Sequence, residues 1–217
     1  MFFSPLYTGV LEVQIGLDPE AAVEAPGPRA LPGRVVVYGT SITQGGCASR
    51  PGMCYTNILA RRLNMEFINL GFSGSGQGEP EVARLVAQVS EPRLFVMDYE
   101  ANCGDPDRMR RTLPEFVDIV RGNHPGLPVL VISQIQNPLS TYSEPFLRSS
   151  ERLRQIQRGF VEARREAGDK AIYFFDASGV LGEDFDECTV DGVHPTDLGF
   201  LRMACGFEPV FREILRL

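Results

Sequence analysis

Five short apolar runs, at 35–38, 66–70, 94–98, 129–133 and 171–175, punctuate this chain. Each is rich in Val, Ile, Leu, Phe or Tyr and has the length of a buried strand. The stretches between them repeat at helical spacing: Tyr55, Ile58, Leu59 and Leu63, then Val82, Leu85, Val86 and Val89. Thr112 and Glu115 read as a capping box before Phe116, Val117 and Val120. Leu153, Ile156 and Phe160 mark a long fourth helix with Pro145 near its start. Leu198, Leu201, Cys205, Val210, Phe211 and Ile214 mark a fifth, which Pro209 is expected to kink or interrupt. Strands alternating with helices imply a parallel sheet covered on both faces.

The expected fold class is therefore α/β: a three-layer α/β/α sandwich with a five-stranded parallel sheet, flavodoxin-like. Ligands of such sheets bind at the carboxyl ends of the strands. The polar motifs of this chain follow directly after an expected strand or lie in the last loop. A length of 217 residues suits one domain with a full core. Residues 34–217 form that domain. Residues 1–33 differ: Leu11-Glu12-Val13-Gln14-Ile15 alternates like a half-buried strand, and a Pro/Ala/Gly-rich linker from Ala25 to Gly33 follows. A lone strand cannot bury its own apolar face, so it must pack on the main domain, on another chain or on something else.

A net charge of −7 argues against a nucleic-acid or anionic-membrane partner, either of which needs a basic patch. No apolar run has the roughly 18 residues of a membrane span. Met1-Phe2-Phe3-Ser4-Pro5-Leu6 lacks the basic and long apolar parts of a secretory signal, which points to the cytoplasm, although a mature secreted protein fits as well. Cys47, Cys54, Cys103, Cys188 and Cys205 include no Cys-x-x-Cys, which suggests neither a zinc site nor a complete disulfide framework. A Cys47–Cys54 pairing is left open, as is the oligomeric state.

Two motifs carry the chemistry. Ser41, in Gly39-Thr40-Ser41-Ile42-Thr43-Gln44-Gly45, follows the first apolar run. A hydroxyl becomes a useful nucleophile when a neighbouring base takes its proton. At a strand-to-loop turn, Ser41 also offers its own N–H to a developing oxyanion. The alternative is a Ser/Thr turn that merely caps a helix. Asp191-Gly192-Val193-His194-Pro195 supplies a base and an acid that can fix its tautomer. The other histidine, His124, is better explained as part of the turn before the fourth strand.

Asn69-Leu70-Gly71-Phe72-Ser73-Gly74-Ser75-Gly76-Gln77-Gly78 follows the second run, and its glycines let backbone N–H groups approach an anion. That anion could be an oxyanion or a phosphate. Asp98 lies about 20 residues after Gly78, the spacing of a ribose-binding acid in a dinucleotide site. The Gly-x-Gly-x-x-Gly spacing itself is absent. Asn102, after the third run, could add a side-chain amide donor or simply form a turn. Glu183, Asp184, Asp186 and Glu187 lack calcium-loop spacing. Arg50 and the segment 134–144 are candidates for lining the site.

Ser41, Gly74, Asn102 and His194, in that order, resemble the four blocks of the SGNH, or GDSL, hydrolase superfamily, over residues 35 to about 205. Gly39-Thr40-Ser41-Ile42 stands where Gly-Asp-Ser-Leu is common, and Asp191-x-x-His194 matches the last block. The third block departs, with Glu100-Ala101-Asn102-Cys103 in place of Gly-x-Asn-Asp. The resemblance implies a serine esterase with Ser41, Asp191 and His194 as its triad. Its oxyanion hole would come from the Ser41 and Gly74 N–H groups and Asn102. It calls for no metal or cofactor and implies a small acyl ester, such as an acetylated sugar, as substrate. An acyltransferase with an alcohol acceptor would use the same residues, and a nucleotide-binding module is the reading from a different class. The stretch from Ser41 to Gly52 resembles a bacterial subgroup whose members often carry an N-terminal β-sandwich domain. In that light residues 1–33 are the tail of such a domain plus a linker.

Overall fold

The computed structural model describes Tyr7 and residues 10–217. Five parallel strands form one sheet in the order β2-β1-β3-β4-β5: β1 (Arg34–Gly39), β2 (Glu66–Gly71), β3 (Pro92–Asp98), β4 (Val129–Ile132) and β5 (Ile172–Phe175). The helices are α1 (Ser41–Gln44), α2 (Tyr55–Leu63), α3 (Pro80–Val86), α4 (Glu100–Cys103), α5 (Pro106–Asn123), α6 (Leu139–Tyr142), α7 (Glu144–Glu166) and α8 (Asp197–Leu215). All five expected strands are present within two residues at either end. From β1 the chain steps outward to β2, then returns to the opposite side of β1 for β3. This reversal opens a crevice at the carboxyl ends of β1 and β3, where such sheets bind ligands.

Side-chain alternation divides the core in two. Val35, Val37, Leu94, Val96, Leu130 and Ile132 face α2 and α8, and meet Tyr55, Leu59, Phe200, Phe207 and Phe211. Val36, Tyr38, Phe95, Met97, Val129 and Val131 face α3, α5 and α7, and meet Ala83, Phe116, Val120 and Leu153. Burial on both faces explains why these strands read as continuous apolar runs. Each fully buried large side chain contributes about 1.5–3 kcal/mol relative to exposure.

Three local expectations are corrected. The capping box at Thr112 does not form, because α5 begins earlier. Asp105 caps it by accepting from the N–H groups of Asp107 (3.1 Å) and Arg108 (3.3 Å), with Pro106 just inside. Thr112 sits within the helix and donates to the Arg108 carbonyl at 3.0 Å. Pro209 does not interrupt α8. Pro209 and Cys205, one turn earlier, are both on the exposed face, so the carbonyl left without its helical donor faces water. Finally, residues 11–15 form no strand; Leu11, Val13 and Ile15 are exposed. The alternation is real in the sequence, but this segment pairs with neither edge strand of the sheet, β2 or β5.

All five cysteines are free thiols, Cys54, Cys103 and Cys188 buried and Cys47 and Cys205 exposed, so Cys47 and Cys54 are not bridged. No helix among the described residues is long and apolar enough to cross a membrane.

Candidate active site

Ser41 is the first residue of α1, a single turn set directly on the end of β1. Thr40 caps it by accepting from the Ile42 N–H at 3.2 Å, and Thr43 Oγ1 accepts from the Thr40 N–H at 3.3 Å. Gly45, left-handed at φ +102°, ends it, its N–H reaching the Ser41 and Ile42 carbonyls. Ser41 is 7% exposed, which leaves its hydroxyl little freedom.

His194 reaches Ser41 from the loop before α8. Thr189 and Pro195 form an antiparallel bridge, the Val190 N–H donates to the His194 carbonyl at 2.8 Å, and Gly192 turns the chain at φ +82°. Asp191 Oδ1 accepts from the N–H groups of Val193 (2.9 Å) and His194 (2.7 Å), folding the loop around its own carboxylate. Asp191 Oδ2 lies 2.7 Å from His194 Nδ1, and His194 Nε2 lies 2.8 Å from Ser41 Oγ. A second contact ties the two halves together: Asp197 at the start of α8 accepts from the Ser49 N–H at 2.9 Å and pairs with Arg50 at 3.6 Å. Arg50 thus reaches across the loop to Asp197 with most of its side chain exposed.

Partial burial pushes the Asp191 carboxyl upward. Hydrogen bonds from the His194 N–H, the imidazole and the Val193 N–H more than offset this and bring its pKa down to about 2. An ionised carboxylate on Nδ1 holds the proton there and leaves Nε2 free to accept from Ser41.

The Gly71–Gly78 loop lies beside this relay. Gly74 is left-handed at φ +69°, with open space where a Cβ would stand, and its N–H meets no acceptor among the described residues. The Ser41 N–H, at the first position of α1, has no helical acceptor either. Asn102, in α4, donates from Nδ2 to the Phe72 carbonyl at 3.0 Å, which pins its carboxamide to the same loop with a second N–H to spare. The departure in the third block has a structural purpose. Glu100 is buried and accepts from the Gln134 N–H at 3.0 Å and from the Gln157 amide, so it anchors α4 to β4 and α7. Residues 134–137, with Glu100, Ser140 and Arg154, line a cavity of roughly 230 Å³.

Asp98 does not serve as a ribose acid. Its Oδ2 accepts from Tyr55 at 2.7 Å and Thr43 at 2.8 Å, so the carboxylate is spent inside the molecule. His124 ends α5 and leads into the turn before β4, as its sequence suggests. In the acidic loop, Asp184 pairs with Arg202, and no cluster of metal-binding type occurs among the described residues.

Residues 33–212 match the GDSL-like lipase/acylhydrolase family. The chain belongs to that family. Among solved structures, a protein named as a GDSL-like lipase from Bacteroides ovatus is 36% identical, with a TM-score of 0.82. The match covers 89% of this chain but 56% of that one, so the chain spans little more than half of that relative. A salicylyl-acyltransferase from a tetracycline biosynthetic pathway shares the fold at 20% identity and TM-score 0.73, over 88% of this chain and 56% of that one. A family two carbohydrate esterase from Clostridium thermocellum does so at 17% identity and TM-score 0.67, over 89% and 67%. Among curated proteins none is significantly similar in sequence.

Two acids in the site region make its stability depend on pH. Burial is the main cause in both: it raises the Asp98 carboxyl to about 6 and the Glu100 carboxyl to about 7, against the lowering effect of their hydrogen bonds. Unfolded, both titrate near about 4. The folded state therefore holds more protons between about pH 4 and 7, and stability rises as pH falls through that range. Asp176, Asp191, Asp197 and Glu208 are shifted downward, so their contribution is lost only below about pH 4. Thermal unfolding should thus show a maximum near about pH 4.5 to 5, with a gain over pH 7.5 on the order of a few kcal/mol. The double variant Asp98→Asn, Glu100→Gln should flatten the neutral side of that profile. A profile unchanged in the double variant would assign the proton uptake elsewhere.

Proposed function

We propose that this chain is a serine esterase acting on a small acyl ester through an acyl-enzyme. The relay Asp191–His194–Ser41, with contacts of 2.7 and 2.8 Å, is the observation that supports it. Ser41 Oγ attacks the ester carbonyl while His194 Nε2 takes its proton. The Ser41 and Gly74 N–H groups and the Asn102 amide stabilise the oxyanion. The tetrahedral species collapses, His194 returns the proton to the leaving alcohol, and Ser41 keeps the acyl group. Water then attacks with His194 as base, releasing the acid and regenerating the hydroxyl. Each step uses side chains and backbone of this chain alone.

The acyl group in this reading is small, such as acetyl, and the alcohol a sugar. Support comes from the fold shared with carbohydrate esterases. An acyltransferase would pass the same acyl group to an alcohol, and the fold shared with the salicylyl-acyltransferase keeps that reading in view. Product analysis with and without an acceptor alcohol separates them: hydrolysis gives free acid at the same rate in both, and transfer gives a new ester. We also propose that residues 1–33 are a segment distinct from the domain at 34–217, in keeping with the sandwich-bearing subgroup; it touches that domain at Tyr7, whose hydroxyl donates to the Ser41 carbonyl at 3.4 Å, and at Leu31, which packs on the core. The exposure of Leu11, Val13, Ile15 and Leu17 supports pairing of this segment with a sheet other than the one described.

The decisive experiment is labelling with a fluorophosphonate probe. Wild type should be labelled at Ser41, and Ser41→Ala should not be labelled at all. Equal labelling of Ser41→Ala would place the nucleophile elsewhere. Asn102→Ala should lower kcat by about 10²–10³ with little change in KM. A kcat within twofold of wild type would reduce Asn102 to a turn residue.

A further inference from the structure

We infer that Asp98 is a positioning residue for Ser41, acting through Thr43 and the single turn of α1. The inference rests on the reading of Ser41 as nucleophile and adds what holds it in place. Four residues are far too few for a helix to sustain itself, since nucleation alone is unfavourable and isolated helices need about 12–15 residues to persist. The orientation of Ser41 must therefore be imposed from outside α1.

The Thr43 hydroxyl is where that constraint enters. Its oxygen accepts from the Thr40 N–H at 3.3 Å, closing the capping box around Ser41. Its proton goes to Asp98 Oδ2 at 2.8 Å. A hydroxyl has one proton, and Asp98 decides where it points: with the proton on the carboxylate, a lone pair is left for Thr40. Tyr55, from α2, donates to the same carboxylate oxygen at 2.7 Å and fixes Asp98 in turn. At the other end of α1, the Asn69 amide donates to the Thr43 carbonyl at 2.7 Å. Three elements of the sheet and its cover thus grip one residue two positions after the nucleophile. The fit is close: a Cβ at Gly39 would stand 2.0 Å from Thr43 Oγ1 and 2.5 Å from the Asp98 carbonyl, so only glycine lets α1 settle onto this network.

Without the Asp98 acceptor, the Thr43 hydroxyl is free to rotate and the cap around Ser41 loosens. A displacement of about 1 Å between reacting groups costs on the order of a hundredfold in rate. Asp98 touches neither Ser41 Oγ nor His194, so its effect is on alignment and falls on kcat more than on KM.

The test is the rate of fluorophosphonate labelling at Ser41, with kcat and KM for a p-nitrophenyl ester, in full-length variants whose melting is measured alongside. Asp98→Leu and Thr43→Val should slow labelling and kcat about tenfold to a hundredfold, with KM within about threefold. Asp98→Asn keeps an acceptor oxygen and Thr43→Ser keeps the hydroxyl, so each should recover to within a few fold of wild type. A purely structural role would not show rescue that tracks the acceptor and the hydroxyl. If Asp98→Leu does not fold, the Thr43 pair decides alone. Wild-type labelling in Thr43→Val, or Asp98→Asn as slow as Asp98→Leu, overturns the inference. Failure of the nucleophile assignment looks different: wild type goes unlabelled, or Ser41→Ala is labelled.

Discussion

His194→Ala should lower kcat/KM for ester hydrolysis by on the order of 10⁴–10⁶-fold and slow fluorophosphonate labelling of Ser41 in parallel. The reason is that, among the described residues, Ser41 Oγ has one partner able to take its proton. His194 Nε2, at 2.8 Å, accepts it during attack and returns it to the leaving alcohol. The remaining activity would come from the oxyanion donors and substrate binding, which do not depend on the imidazole. Little stability should go with it, because His194 is half-exposed and Asp191 Oδ1 keeps its two backbone donors. Melting close to wild type together with a collapse of kcat is the expected pair of results. Activity within tenfold of wild type would mean that another group accepts the Ser41 proton.

The fold and the relay residues were legible in the sequence for one physical reason. A parallel sheet buried on both faces writes itself as short continuous apolar runs, and its ligand edge follows from strand direction alone. Ser41 directly after one run, and Asp191 and His194 just before the last helix, therefore fall on one edge by pattern alone. What was not legible was the support beneath them. Tyr55 read as an apolar position of a helix, which it is, but its hydroxyl emerges at the far end of the ring to meet Asp98. Asp98 closes the run Leu94-Phe95-Val96-Met97 with its side chain on the α2 face, and an acid there signals an internal partner. The spacing from Gly78 suggested a ribose instead, because spacing along a chain says nothing of which way a carboxylate turns. Glu100 stands in the sequence only as a departure from Gly-x-Asn-Asp. That it anchors α4 could be seen only once Gln157, 57 positions away, was placed against it. The exposed alternation at residues 11–15 shows the converse: a strand pattern needs a sheet edge, and the sequence cannot say whether one is on offer.

Asp191→Asn gives the sharpest test of how the relay is wired, because it changes almost no atoms. Asp191 Oδ1 accepts from two backbone N–H groups at 2.9 and 2.7 Å, and in the variant the amide oxygen must take that place, since an NH₂ there would face two donors. The amide nitrogen is then turned toward His194 Nδ1, where the carboxylate oxygen stood at 2.7 Å. It can only donate, so Nδ1 must give up its proton and accept. The imidazole proton moves to Nε2, which then points a hydrogen at Ser41 Oγ and can no longer receive one. The expected result is a fall of about 10⁴ in kcat with the loop geometry intact. Asp191→Ala leaves the tautomer free to equilibrate, so it should be no slower than Asp191→Asn despite removing more of the side chain. That ordering is what separates tautomer control from simple support of the loop. A support role predicts the reverse, with Asn nearly wild type and Ala impaired. Measuring kcat and Ser41 labelling in both variants decides between them.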